Sequence, residues 1–111
     1  MGFDSTFIWN DLSAYNVTKA QKFYENTFKW YFADYGEQDP YWISFSGNQA
    51  IAGLYPMPEK FRQKQFPAFW MPYIQVQDIS DTIDKAREFQ YAKIEVPPTS
   101  FKDGSSISLI R

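Results

Sequence analysis

Residues 7–13 read Phe7-Ile8-Trp9-Asn10-Asp11-Leu12-Ser13, and Asn16 then opens a run in which Val17, Ala20, Phe23, Tyr24 and Phe28 recur three and four residues apart. The first stretch alternates in character and reads as a strand, whereas the second makes one apolar stripe on a helix capped by Asn16. Sixty-two residues later the order returns, with Ile74 in the place of Leu12, Asp78 in the place of Asn16 and Ile79 in the place of Val17. A strand followed by an amphipathic helix therefore occurs twice, and the duplication organises the rest of the chain.

After the first helix come three strand readings: residues 30–35, residues 41–46, and residues 50–55 beyond the Gly47-Asn48 turn signal. Residues 58–67 carry Pro58, Pro67 and a scatter of charge, and read as a connector between a first module, 1–57, and a second, 68–111. The second module opens with a strand over residues 69–77. Its helix presents Ile79, Ile83, Ala86 and Phe89, with Asp78 or Ser80 as its cap, and a strand follows over residues 93–96. A loop with an Asp103-Gly104 turn then leads to a last strand over residues 107–110. The first helix is followed by three strands and the second by two, so an eighth strand is expected to be missing.

Composition limits what such a chain can be. At 111 residues it suits one domain, and 44% hydrophobic with 21% aromatic residues is enough apolar surface to offset the entropy of ordering. The aromatic content exceeds what a core of this size needs, so some rings are expected to line a groove or an interface. A net charge of -2, with no basic stripe, argues against nucleic acid as a partner. Without cysteine there is no disulfide or thiolate chemistry, which fits a cytoplasmic location. No run approaches the roughly 18 apolar residues of a membrane span, and residues 1–6 lack the features of a signal peptide.

Trp9-Asn10-Asp11-Leu12, Ala20-Gln21-Lys22-Phe23-Tyr24 and Phe28-Lys29-Trp30 are similar to the opening of the glyoxalase-related branch of the vicinal oxygen chelate superfamily. So are Gly53-Leu54-Tyr55-Pro56-Met57-Pro58, the stretch 73–78, Val96-Pro97-Pro98-Thr99 and Ile107-Ser108-Leu109-Ile110-Arg111. The resemblance implies an α+β fold. Two βαβββ-type modules would form a curled, open, barrel-like mixed sheet with outer helices, the last strand of the second module being absent. Two departures stand out: Lys29 and Gln90 occupy places where relatives commonly have glycine after the helices.

In such a cup, strand alternation sends Leu12, Ile74 and Val76 beneath helices. Trp9, Asp11 and Ser13 of the first strand, with Met71, Tyr73 and Gln75 of the fifth, then face the cavity and are the expected ligand-binding residues. A competing expectation is that Trp9, Met71 and Tyr73 simply fill the cup as a second core.

The resemblance also implies a divalent metal held from the first, fourth, fifth and eighth strands. Such sites need lone pairs at about 2.0 to 2.2 Å. Trp9 and Met71 stand at the first- and fifth-strand positions, Gly53 and Leu54 are near the fourth, and histidine is absent throughout. No metal and no cofactor are expected. Asp11 remains the one candidate acid or base, since surrounding aromatics would raise its pKa by desolvation, but a lone carboxylate more simply accepts a hydrogen bond. Ser13 lacks a histidine to activate it.

The expectation is thus a metal-free protein that binds a small organic ligand between aromatic walls, a planar amine or cation suiting Asp11 best. The alternatives are a dimeric scaffold domain with a filled cavity and a residual lyase, isomerase or dioxygenase. A homodimer is expected, because the strand 107–110 would leave an edge open for pairing.

Overall fold

The computed structural model describes residues 5–101 and 104–111, so Asp103 of the expected Asp103-Gly104 turn and residues 1–4 lie outside it. Strand β1, Thr6–Ala14, leads into helix α1, Val17–Phe28. The Asn16 side chain accepts a 2.9 Å hydrogen bond from the Lys19 N–H, satisfying one of the donors that a helix start leaves open. α1 ends at Lys29, which adopts a left-handed conformation with φ 64° and returns its N–H to the Glu25 carbonyl. Glycine is the usual residue for that geometry, because a Cβ crowds the neighbouring carbonyl.

Strands β2 (Tyr31–Asp34), β3 (Trp42–Ser46) and β4 (Gln49–Pro56) follow, with Gly47 at φ 60° in the tight turn between the last two. A short helix α2, Glu59–Gln63, interrupts the stretch read as plain connector, and β5 spans Phe69–Gln75. Arg62 fastens that connector from within: its Nε donates to the Met57 carbonyl at 2.9 Å, its terminal nitrogen donates to the Tyr15 carbonyl, and its guanidinium lies 5.0 Å from the centre of the Tyr15 ring. Helix α3 (Ile79–Ala86) and strands β6 (Ile94–Ser100) and β7 (Ser106–Ile110) complete the chain.

These elements fall into two compact units, one of residues 7–74 and one formed from residue 75 onward together with residues 5 and 6. The first is built on a five-stranded mixed sheet in the order β2-β3-β4-β1-β5, in which β1 and β4 run parallel while β2, β3 and β4 are antiparallel. Leu12 and Leu54 are register partners, and with Ala14 they form the buried heart of this unit. Val17, Ala20 and Tyr24 of α1, and Phe32 and Trp42 of the sheet, pack around them. Leu12 thus lies beneath α1, as alternation requires.

The helix stripe is narrower than its spacing suggests. Phe23 and Phe28 are 55% and 53% exposed, because the surface of α1 that meets the sheet is centred on Val17, Ala20 and Tyr24. Ile74 is also exposed, at 55%, on β5 at the margin of the sheet. In the second unit α3 stops at Ala86 rather than reaching Phe89. Asp78 caps it by accepting from the Asp81 N–H at 3.0 Å. Ile83 is the residue of this helix that is buried.

β6 continues to Ser100 through Pro97 and Pro98, which were expected to start a loop. The β6–β7 ladder shifts register between Val96 and Thr99, where the two prolines without N–H donors fall. This unit's sheet is a two-stranded hairpin, because β5 joins the sheet of β1–β4; the α+β class holds, but in place of the expected curled, barrel-like sheet of two like modules the described residues form two open sheets, neither closed nor strongly curled. No described helix is long and apolar enough to cross a membrane.

Candidate functional site

Because side chains alternate along β1, the face opposite Leu12 carries Trp9, Asp11 and Ser13. In the parallel ladder with β4, Asp11 stands beside Gly53 and Ser13 beside Tyr55. Gly53 in turn pairs with Ile43 of β3, so the chain two residues earlier brings Tyr41 to the same face. With Tyr73 of β5, whose hydroxyl also approaches Asp11, four chain segments deliver polar aromatic groups to one carboxylate.

The contacts are short and convergent. The Trp9 indole Nε1 donates to Asp11 Oδ1 at 2.9 Å and also lies 3.0 Å from Tyr41 Oη, while the Tyr41 hydroxyl donates to the same Asp11 oxygen at 2.7 Å. Asp11 is only 7% exposed, so these neutral donors replace much of the water that a carboxylate would otherwise hold. A methyl group at position 53 would overlap both Tyr41 Oη and Asp11 Oδ1, so the triangle exists only because that residue is glycine.

Three tyrosine hydroxyls around the carboxylate keep their protons more firmly than a free phenol does. Burial is the largest cause at Tyr41, followed by its hydrogen bond to Asp11, with the Trp9 N–H opposing. At Tyr73 burial again leads, followed by the charge of Asp11 and a hydrogen-bonding approach to it. At Tyr55 burial raises the value, the Ser13 hydroxyl opposes it and the charge of Asp11 adds to it. Ser13 is fully buried, and its Oγ influences Tyr55 without completing a hydrogen bond of ordinary geometry. All of these phenols are neutral donors at physiological pH.

Of the six residues expected to line a site, Trp9, Asp11, Ser13 and Tyr73 come together around this carboxylate. Met71 shares the Tyr73 side of β5 by alternation and makes no described polar contact. Gln75 is exposed and belongs to the other unit, where its carbonyl accepts from the Ser5 N–H at 2.6 Å. Tyr41 and the space left by Gly53 were not anticipated. Tyr41 reads only as the start of a strand until the β3–β4 register is known.

The helix-side face of the same sheet has a depression of about 310 Å³ lined by Asn10, Trp30, Ile51, Ala52 and Trp70. It is an aromatic corner, in which Trp30 and Trp70 meet edge to face and Trp70 Nε1 donates to Tyr24 Oη at 3.1 Å. No ionisable side chain lines it. The Asp11 face is where charge and hydrogen-bonding groups concentrate.

The side chains at the expected ligand positions do not fit a divalent ion. Trp9 presents an N–H donor, already committed to Asp11 and Tyr41, and Gly53 presents no side chain. Among the described residues no three of His, Cys, Asp and Glu converge.

Comparison with known proteins gives a distant, glyoxalase-like similarity. Two proteins named "Putative glyoxylase CFP32", one from Mycobacterium bovis (strain ATCC BAA-935 / AF2122/97) and one from Mycobacterium tuberculosis (strain CDC 1551 / Oshkosh), are each 31% identical over 80 residues. The matched stretch is 69% of this chain but 30% of each relative, so the chain spans under a third of the length of the curated relatives it matches. No protein-family model matches the chain.

Proposed function

We propose that this chain is a glyoxalase-like member of the vicinal oxygen chelate superfamily that binds a small organic molecule without a metal, on the face centred on Asp11. The observation that carries the reading is the convergence of Trp9, Tyr41 and Tyr73 on one mostly buried carboxylate, with Gly53 holding space for it. Flat aromatic walls with a few fixed polar groups are the usual composition of a small-molecule site. In this reading the open five-stranded sheet presents the binding face, and Trp9 and Tyr73 supply stacking surface. The distant likeness to a protein named for glyoxylase activity supports the family, and the donor set at Trp9, Met71 and Gly53 supports binding over metal-assisted catalysis.

The test is a fluorescence-monitored screen of planar organic compounds, followed by titration of the wild type, Trp9→Ala and Tyr73→Ala. Each substitution should weaken the bound compound at least about tenfold, the loss of one aromatic wall. Unchanged affinity in both variants removes this face as the site. Elemental analysis of chelator-free protein gives a second check, since stoichiometric metal would restore the enzymatic reading.

A homodimer is a second reading, favoured by the hairpin of the second unit. There β7 pairs with β6 alone among the described strands, so its outer backbone edge offers donors and acceptors to another chain. Light scattering at high protein concentration distinguishes a dimer from a monomer.

A further inference from the structure

Among the described residues the charge at the proposed binding face has no ionic partner. Among the described residues the ion pairs join Lys85 with Asp81, Arg87 with Asp84, and Lys93 and Arg111 with Glu95; none involves Asp11. The groups that do surround Asp11 are an indole N–H and phenol hydroxyls that keep their protons. A mostly buried carboxylate that meets only neutral donors among the described residues directs its field at whatever occupies the face. The aromatic rings add to the same preference, since their faces carry partial negative charge and attract cations.

We infer, resting on the binding reading above, that the ligand is a weakly hydrated organic cation, with quaternary or delocalised charge, set against the Trp9 ring within the field of Asp11. The preference for weak hydration comes from geometry. Asp11 is 7% exposed, its Oδ1 already accepts from both Trp9 and Tyr41, and the Tyr73 hydroxyl also approaches the carboxylate, so little acceptor surface remains for an N–H donor from the ligand. A primary ammonium would shed its water with poor replacement, whereas a cation without strong donors loses little on entering an aromatic setting.

The experiment titrates the whole chain, followed by tryptophan fluorescence, with phenyltrimethylammonium, with its neutral carbon isostere and with benzylammonium. The quaternary cation should bind about tenfold or more tightly than either comparison compound. Asp11→Asn should bring the quaternary cation most of the way down to the level of the isostere, the aromatic rings keeping a small remainder, while leaving the isostere within about twofold. Tyr41→Phe keeps the charge but frees one lone pair of Oδ1, and should narrow the gap between the quaternary and the primary cation. Equal binding of cation and isostere by the wild type overturns the charge preference while leaving a neutral-ligand site standing. Tighter binding of benzylammonium overturns the hydration argument, and failure of all three compounds to bind overturns both the inference and the reading beneath it. If Asp11→Asn fails to fold, the wild-type ranking and the Tyr41→Phe comparison still decide.

Discussion

Gly53 and Asp11 are direct partners in the parallel β1–β4 ladder, and the side chain absent at one position makes room for the hydrogen bond made at the other. The Tyr41 hydroxyl reaches the Asp11 carboxylate through the volume that any larger residue at 53 would fill. Gly53→Ala should therefore destabilise the protein by about 1–3 kcal/mol, the usual range for forcing a methyl group into packed surroundings. Tyr41→Phe removes the nearest of the three overlapping atoms, Tyr41 Oη, and leaves Tyr41 Cζ and Asp11 Oδ1, so the double variant should lose less than the sum of the single losses without full relief. Urea denaturation of the four proteins in the cycle measures this, and strict additivity would contradict the proposed overlap.

Alkaline pH should weaken the fold through the tyrosines of this cluster. Tyr41, Tyr55 and Tyr73 have folded-state values raised above the ordinary phenol value, first by burial. A raised value means that the folded state holds protons that the unfolded chain releases. Stability from these groups is fully present below about pH 10 and declines as pH rises beyond it. Denaturation midpoints measured from pH 8 upward should stay level and then fall. Asp11→Asn should lower the pH at which Tyr41 and Tyr73 ionise, followed by phenolate absorbance, but only part of the way to the ordinary value, because burial remains.

Lys29 is a position where a substitution should improve the protein. Its left-handed conformation closes α1, and a lysine Cβ is strained there. Lys29→Gly should raise stability by about 0.5–1 kcal/mol, less the extra freedom glycine gives the unfolded chain. A thermal melt showing a higher midpoint confirms the strain, and a lower midpoint denies it.

Arg62→Ala should cost about 1–3 kcal/mol, because two carbonyls lose a charged donor and Tyr15 loses the cation above its ring. Arg62→Lys keeps the charge but not the two-directional reach, and should recover only part of the loss. Full recovery by lysine in chemical denaturation would show that charge alone matters.

Much of this arrangement was legible in the residues. The cap at Asn16 is at the helix start where its short polar side chain predicts it, the second helix takes Asp78 of the two candidates Asp78 and Ser80, and the alternation of β1 separates Leu12 from Asp11 as expected. What sequence spacing does not encode is which strands become neighbours and in what register. Tyr41 joins the cluster because Ile43 pairs with Gly53, in a β3–β4 ladder that also contains a bulge between Ser44 and Phe45. A bulge shifts the parity of every residue beyond it, so no count along the chain could have oriented Tyr41 against Asp11. Phe23 and Phe28 misled for the opposite reason: helical spacing places them near an apolar stripe, and only the packed width of α1 against the sheet shows that they lie beyond it.

The two sides of β1 differ so sharply that the strand tolerates exchange far better than insertion or deletion. Adding or removing one residue before Asp11 would drive a carboxylate among Val17, Ala20 and Leu54 and turn an aliphatic side chain toward the tyrosines. Single replacements can erode this part of the molecule by degrees, but a lost or gained codon would reverse its inside and outside at once. Length variation among descendants of this gene should accordingly collect in the loops and spare the segment from Trp9 to Ala14.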